Sequence, residues 1–220
     1  MPTQYDAFIS YSHVADGKLA PAVQRGLSRL AKKWNQRQVL KVFRDDTGLG
    51  VSPHLWGSIV EALDNARFFV LFASPDAAAS EWVNKEVEHW RAVHGVETIL
   101  PVLTDGTWDW DDVAQDFTAD STAVPSALRG AFTEEPRHLD LHWAREDAHL
   151  SLHNARFRNA IAELAAPMRG MAKEDLESED LHQQRKTLLL ARGAVALLAL
   201  LTIGALVGAG FAVANARRAD

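Results

Sequence analysis

Cysteine is absent from the 220-residue sequence, which excludes disulfides and thiolate metal sites. The chain also lacks a basic block. Its net charge is −6, and no Lys/Arg run interrupts the part that could fold as a globule, so a nucleic-acid surface is not indicated. The opening "MPTQYDAFISYS" has neither a basic n-region nor a long apolar stretch, so it is not a secretory signal. Phosphate-cradling glycine motifs are missing too. "GLGVSPHL" lacks the GK[ST] ending of a P-loop, and Pro53 stands where the third glycine of a dinucleotide fingerprint belongs. No HExxH pairing and no EF-hand spacing occur, so the nine histidines and the acidic run around Asp109, Asp111 and Asp112 point to no metal site.

What remains is a chain 47% hydrophobic, long enough for one domain of about 150 residues plus a further segment. "YDAFISYS" (5–12) reads as a strand, and Asp16 or Gly17 opens an amphipathic helix to about Lys33 with Leu19, Val23, Leu27 and Leu30 on one face. "QVLKVF" (38–43) is a second strand, and the turn-rich "RDDTGLGVSP" (44–53) is a loop. Leu55, Ile59 and Leu63 carry helical spacing through 54–66. "RFFVLFAS" (67–74) is a continuous apolar run, the signature of a strand covered on both faces, and Ser74-Pro75 ends it. A helix over 80–94, a strand "TILPVL" (98–103), an acidic tryptophan-bearing loop, a fifth strand at 137–143 and a closing helix over 154–166 complete the order. Alternating strands and helices predict an α/β fold, a flavodoxin-like doubly wound five-stranded parallel sheet of order 2-1-3-4-5. Ligands of such sheets bind at the carboxyl ends of the strands near the switch in strand order. A phosphate-accepting receiver domain shares this order but needs acids closing the first and third strands, where this chain has "FISYS" and "LFAS".

The organisation predicted is a globular domain over 1–166, a polar linker over 167–187, a transmembrane helix over 188–214 and a short basic tail over 215–220. Residues 193–214 are free of charge; as a helix they cover about 33 Å, enough for a bilayer core. Arg185, Lys186 and Arg192 precede this stretch, and Arg217 and Arg218 follow it. The slight upstream excess and the missing signal place the N-terminal domain in the cytoplasm, tethered by a single pass.

The helix over 80–94 contains "SEWVNKEVEHW". Val83, Val87 and Trp90 form its buried stripe, with Trp82, Glu86 and Val93 at one margin. Glu81 and Glu88 have basic neighbours at i+4 and i+3, whereas Glu86 has a tryptophan four residues away on each side. On spacing alone, a glutamate at such a margin is ordinarily a solvated charge.

Taken together, "YDAFISYS", "VFRDDTGLGVSP", "ARFFVLFASPDAAASEWVNKE" and "TILPVL" resemble the successive signature segments of a Toll/interleukin-1 receptor (TIR) domain, over about residues 5–165. The layout is similar to bacterial TIR proteins with a membrane segment, some of which continue into a large C-terminal region. The sequence is compatible both with a fragment of such a longer protein and with a chain that lacks the further region. The resemblance implies an NAD+ glycohydrolase or cyclase that uses NAD as substrate, with no cofactor and no metal. It makes Glu86 of Trp82-Val83-Asn84-Lys85-Glu86 the catalytic residue. It places Ser10, Tyr11, Ser12, Arg44 and Asp45 along the nucleotide site, with Trp82 supporting the pocket wall. The loop 44–53 corresponds to the family's mobile gating loop, through which TIR domains self-associate. The alternative is a non-enzymatic, membrane-tethered TIR–TIR interaction scaffold, which would not need the glutamate.

Overall fold

A computed structural model of the chain describes residues 4–30, 40–44, 55–147 and 150–170. The predicted linker, transmembrane helix and tail lie outside these residues, as does the loop 45–54. No helix among the described residues is long and apolar enough to cross a membrane.

Five parallel strands form the sheet: β1 (Tyr5–Ser10), β2 (Val42–Arg44), β3 (Ala66–Ala73), β4 (Ile99–Leu103) and, after the two short strands of a separate hairpin, β7 (Leu139–Asp140). Their order is β2-β1-β3-β4-β7, the predicted spatial order. A pair of parallel strands needs a crossover between them, and the helices supply it. On the β1–β3 pair, Phe8 is opposite Phe69 and Ser10 opposite Leu71; on the β1–β2 pair, Ile9 is opposite Arg44.

Strand parity sorts the core into two layers. Phe8, Phe69, Leu71, Ala73 and Ile99 share one cluster with Ile59 and Leu63 of α3 (Leu55–Asp64) and with Val83, Val87 and Trp90 of α5 (Glu81–His94). Aromatic rings bind this layer, Phe8 stacked on Phe69 at 5.8 Å and Phe69 tilted against Trp90 at 5.3 Å. Residues one step out of phase, Ile9, Val70 and Phe72, face the opposite layer. There α2 (Leu19–Leu30) packs on α6 (Ala155–Arg169).

The differences from expectation are local. One helical turn, α1 (His13–Asp16), precedes α2, and another, α4 (Pro75–Ala79), fills the corner where Ser74-Pro75 had marked only a strand end. Pro75 suits a first helical turn, and the Ser74 hydroxyl caps it by accepting from the Ala77 amide at 3.2 Å. The acidic loop holds a hairpin of β5 (Trp110–Asp111) and β6 (Asp116–Phe117), then a 3-10 turn at Ser126–Leu128. Its aromatics drive this: Phe117 lies 4.8 Å from the Trp108 ring and 5.3 Å from the Trp110 ring. The fifth sheet strand is only two residues long, because the chain turns into a 3-10 turn at His142–Ala144. The closing helix runs to Arg169, past Ala166. Pro167 sits inside it, and Gly170 ends it at φ 60°.

Candidate active site

Helix α5 starts at a defined residue. The Ser80 hydroxyl accepts from the Val83 amide at 3.4 Å, and Gly95 closes the helix at φ 81°. Asn84 ties the first turns to their surroundings. Its amide nitrogen donates to the Ala78 and Ser80 carbonyls, each at 2.9 Å, and its oxygen accepts from the Ser126 hydroxyl and the Ala127 amide, each at 3.0 Å. Arg91, placed by spacing within reach of Glu88, donates to the Ala127 carbonyl. The rotation of the helix about its axis is therefore set from outside as well as by its apolar stripe.

That rotation buries Glu86. The inward stripe is Val83, Glu86, Val87 and Trp90, at i, i+3, i+4 and i+7, so the margin residue of the sequence reading belongs to the buried face. Glu86 is 4% exposed, and Ser10, the last residue of β1, is 1% exposed. The Ser10 hydroxyl donates to Glu86 Oε2 at 2.5 Å, at the short end of the range for a hydroxyl on a carboxylate. Ser10 shares the parity of Phe8, which is why it meets α5.

The other residues assigned to the nucleotide site divide about the sheet edge. Tyr11 is out of phase with Ser10 and packs 6.4 Å from Phe72. Its hydroxyl accepts from Arg44 Nη1 at 2.9 Å, and Arg44 Nε donates to Gln24 Oε1 of α2 at 3.2 Å. Gln24 in turn donates to the Val42 carbonyl at 2.9 Å. Tyr11 and Arg44 thus come together on the α2 side, away from Glu86, and fasten the end of β2 where the loop 45–54 departs. Ser12 is buried and precedes α1, its carbonyl accepting from the Asp16 amide at 2.8 Å. Asp45 lies outside the described residues. Trp82 is 47% exposed. Its ring lies 5.8 Å from Trp56 on α3, with the Lys85 ammonium 5.3 Å from the ring centre. It therefore lines the outer α3–α5 surface, one turn before Glu86.

One buried acid carried no signal in the sequence beyond a helix-opening position. Asp16 is fully buried, and neither carboxylate oxygen receives a hydrogen bond. Burial pushes its pKa up to about 6, with Asp105 and Asp76 adding to the effect; the nearby Thr104 hydroxyl, which is turned to the Ala73 carbonyl at 3.2 Å and makes no regular hydrogen bond to Asp16, and the Arg145 guanidinium oppose it only in part. Beside it opens a cleft of about 840 Å3 lined by His13, Lys18, Thr104, Asp105, His142 and Arg145 among others. Arg145 pairs with Asp105 across it. Among the described residues no group of three or more histidines and acids is placed to hold a metal ion.

Residues 8–139 match the TIR domain family. The chain is 60% identical over 217 residues to the NAD(+) hydrolase ApTIR of an Actinoplanes species, a match that covers 97% of this chain and 30% of that protein. The chain thus spans about a third of the length of that curated relative. Among solved structures it is similar to the TIR domains of the activated Roq1 resistosome directly recognizing the pathogen effector XopQ. That similarity has 16% identity and a TM-score of 0.38, over 82% of this chain and 99% of the other.

Proposed function

The chain belongs to the TIR domain family, and from that premise we propose that it cleaves the nicotinamide–ribose bond of NAD+ with Glu86 as the catalytic carboxylate. The observation that carries the reading is a glutamate buried at the carboxyl edge of the sheet, in α5 between β3 and β4, beside the switch between β1 and β3. A structural helix does not need an ionisable group there, and an interaction scaffold gains nothing from one. The likeness to a protein named as an NAD(+) hydrolase supports the same reaction.

The chemistry asks for little. Nicotinamide in NAD+ is already cationic and departs neutral, without a general acid. The ribosyl carbon left behind is oxocarbenium-like, and a fixed carboxylate stabilises its positive charge or holds the ribose hydroxyls. Water attacking that carbon gives ADP-ribose; an adenine nitrogen of the same molecule would give a cyclic product. NAD is the substrate here and no cofactor takes part.

Of the remaining residues, Tyr11 and Arg44 act by holding the base of the loop 45–54, and Ser12 lies where the nucleotide-side loop turns into α1. Asp45 and that loop supply the gate and the self-association surface. Trp82 supports the rim. Assembly of several domains activates the enzyme, and the apolar stretch 188–214 tethers it to a membrane, which raises the local concentration for assembly.

The test is to incubate concentrated protein with NAD+ and follow nicotinamide release, comparing wild type with Glu86→Ala. A loss of at least about 100-fold is expected from removal of a group that stabilises the transition state. Equal release by both proteins, or none by wild type even when clustered, removes the enzymatic reading and leaves the scaffold.

A further inference from the structure

We infer that Ser10 is a positioning residue that acts through Glu86 and does not touch the substrate. The inference rests on the reading of Glu86 as the catalytic carboxylate, and it replaces the substrate-lining role that family resemblance implied for Ser10.

Three observations converge. Ser10 is 1% exposed, so its hydroxyl lies beneath the site and not on its wall. Its Oγ is 2.5 Å from Glu86 Oε2. Its Cα is held in the ladder opposite Leu71 of β3, one residue after Ile9 pairs with Arg44 of β2. The hydroxyl has a single proton, and in this bond it points at the carboxylate oxygen. That donation favours the ionised carboxylate, which opposes the effect of burial on an acid. It also restrains a side chain whose last torsion is otherwise broad. Because the donor sits on a central strand, its position depends on the sheet and not on a mobile loop. The carboxylate is thereby pre-oriented before substrate arrives, and that pre-orientation lowers the barrier to reaction. Strand parity supplies the donor: shifting β1 by one residue would turn Ser10 to the α2 side and bring Tyr11 against Glu86.

Three proteins test this: wild type, Ser10→Ala and Ser10→Thr. Threonine keeps the hydroxyl on a residue suited to a strand. Two readouts are taken. One is the pH dependence of kcat for nicotinamide release by clustered protein. The other is the titration of the Glu86 side-chain carboxyl carbon by NMR, assigned by its disappearance in Glu86→Gln. For Ser10→Ala, kcat should fall about 10-fold with KM nearly unchanged, the size expected for loss of a hydrogen bond to a charged group. The acid limb and the Glu86 midpoint should both rise by about one pH unit. Ser10→Thr should return both toward wild type. If Ser10→Ala does not fold, Ser10→Cys, nearly isosteric with a weak donor, should show the same upward movement.

An unchanged Glu86 midpoint in a folded Ser10→Ala or Ser10→Cys protein overturns the positioning role, whatever happens to turnover. So does a raised KM with kcat intact, which would mean direct substrate contact. If wild type releases no nicotinamide yet the Glu86 midpoint still moves in Ser10→Ala, the positioning geometry stands and only the NAD-cleaving reading fails.

Discussion

Asp16 and Glu86 are two buried acids in different circumstances. Glu86 accepts a hydrogen bond from the Ser10 hydroxyl, with 2.5 Å between the oxygens, whereas neither oxygen of Asp16 accepts one of regular geometry. The folded-state pKa of Asp16, about 6, lies above the ordinary value of 3.8. A raised pKa means the folded protein favours the protonated form. The associated stability is therefore fully present below about pH 3.8 and is lost as pH rises through about 6. The two-unit gap corresponds to about 3 kcal/mol at full ionisation. Asp16→Asn removes the titration, so its melting temperature relative to wild type should climb between about pH 3.8 and about pH 6 and level off above. Paired thermal melts across that range check it; a constant difference rules it out. At Glu86 the neutral isostere Gln should keep the fold yet lose nicotinamide release by at least about 100-fold, because it carries no negative charge for the oxocarbenium ion. Assays beside a circular dichroism spectrum separate that loss from unfolding.

Helix α5 is positioned by its ties as much as by its stripe. Asn84 makes four hydrogen bonds that join α5 to the α4 corner and to the 3-10 turn at Ser126–Leu128. Asn84→Ala leaves the Ala127 amide without its partner in a part-buried position, and a destabilisation of about 2 kcal/mol is expected in urea titration. Turnover should fall as well, since the same ties orient Glu86. On the opposite face α2 and α6 meet at Gly26, where a Cβ would come within 2.9 Å of Ile161 Cγ1 and 3.3 Å of Phe157 Cε1. A Gly26→Val substitution therefore overpacks this contact and should cost about 1–3 kcal/mol. Because α2 lies away from Glu86, any surviving folded protein should keep its KM for NAD+.

At the scale of the whole molecule, the described domain holds Glu86 buried at the carboxyl edge of the sheet, and residues 45–54 lie outside the described residues. A site completed by assembly predicts that specific activity depends on crowding of domains. Tethering the protein to vesicles raises effective concentration toward the millimolar range. Per-molecule nicotinamide release should then exceed that of the same protein diluted in solution by at least about 10-fold. Equal rates in both settings would dismiss activation by assembly. The acidic net charge of −6 acts against close approach at low ionic strength, so added salt should favour the assembled form.

The order of strands and helices was legible from the sequence because hydrophobic period is a local property. Continuous apolarity over "RFFVLFA" marks a doubly covered strand, and Ser80 and Gly95 bracket α5. The resemblance to TIR domains, carried by segments in fixed order, selected Glu86 from three glutamates in one helix. Tertiary structure alone decided the rest. Whether a margin glutamate is wet or buried depends on the rotation of α5 against β1, set by contacts with residues dozens of positions away, such as Ser10 and Ala127. Adjacent Ser10 and Tyr11 fall on opposite faces because a strand alternates, so residues that the resemblance assigned to one nucleotide site serve two sides of the sheet. Asp16 looked like a helix-opening acid in the sequence. Its burial without hydrogen-bond donors follows from the packing of α1 near Thr104 and Arg145, contacts that arise only once β4 and β7 have joined the sheet.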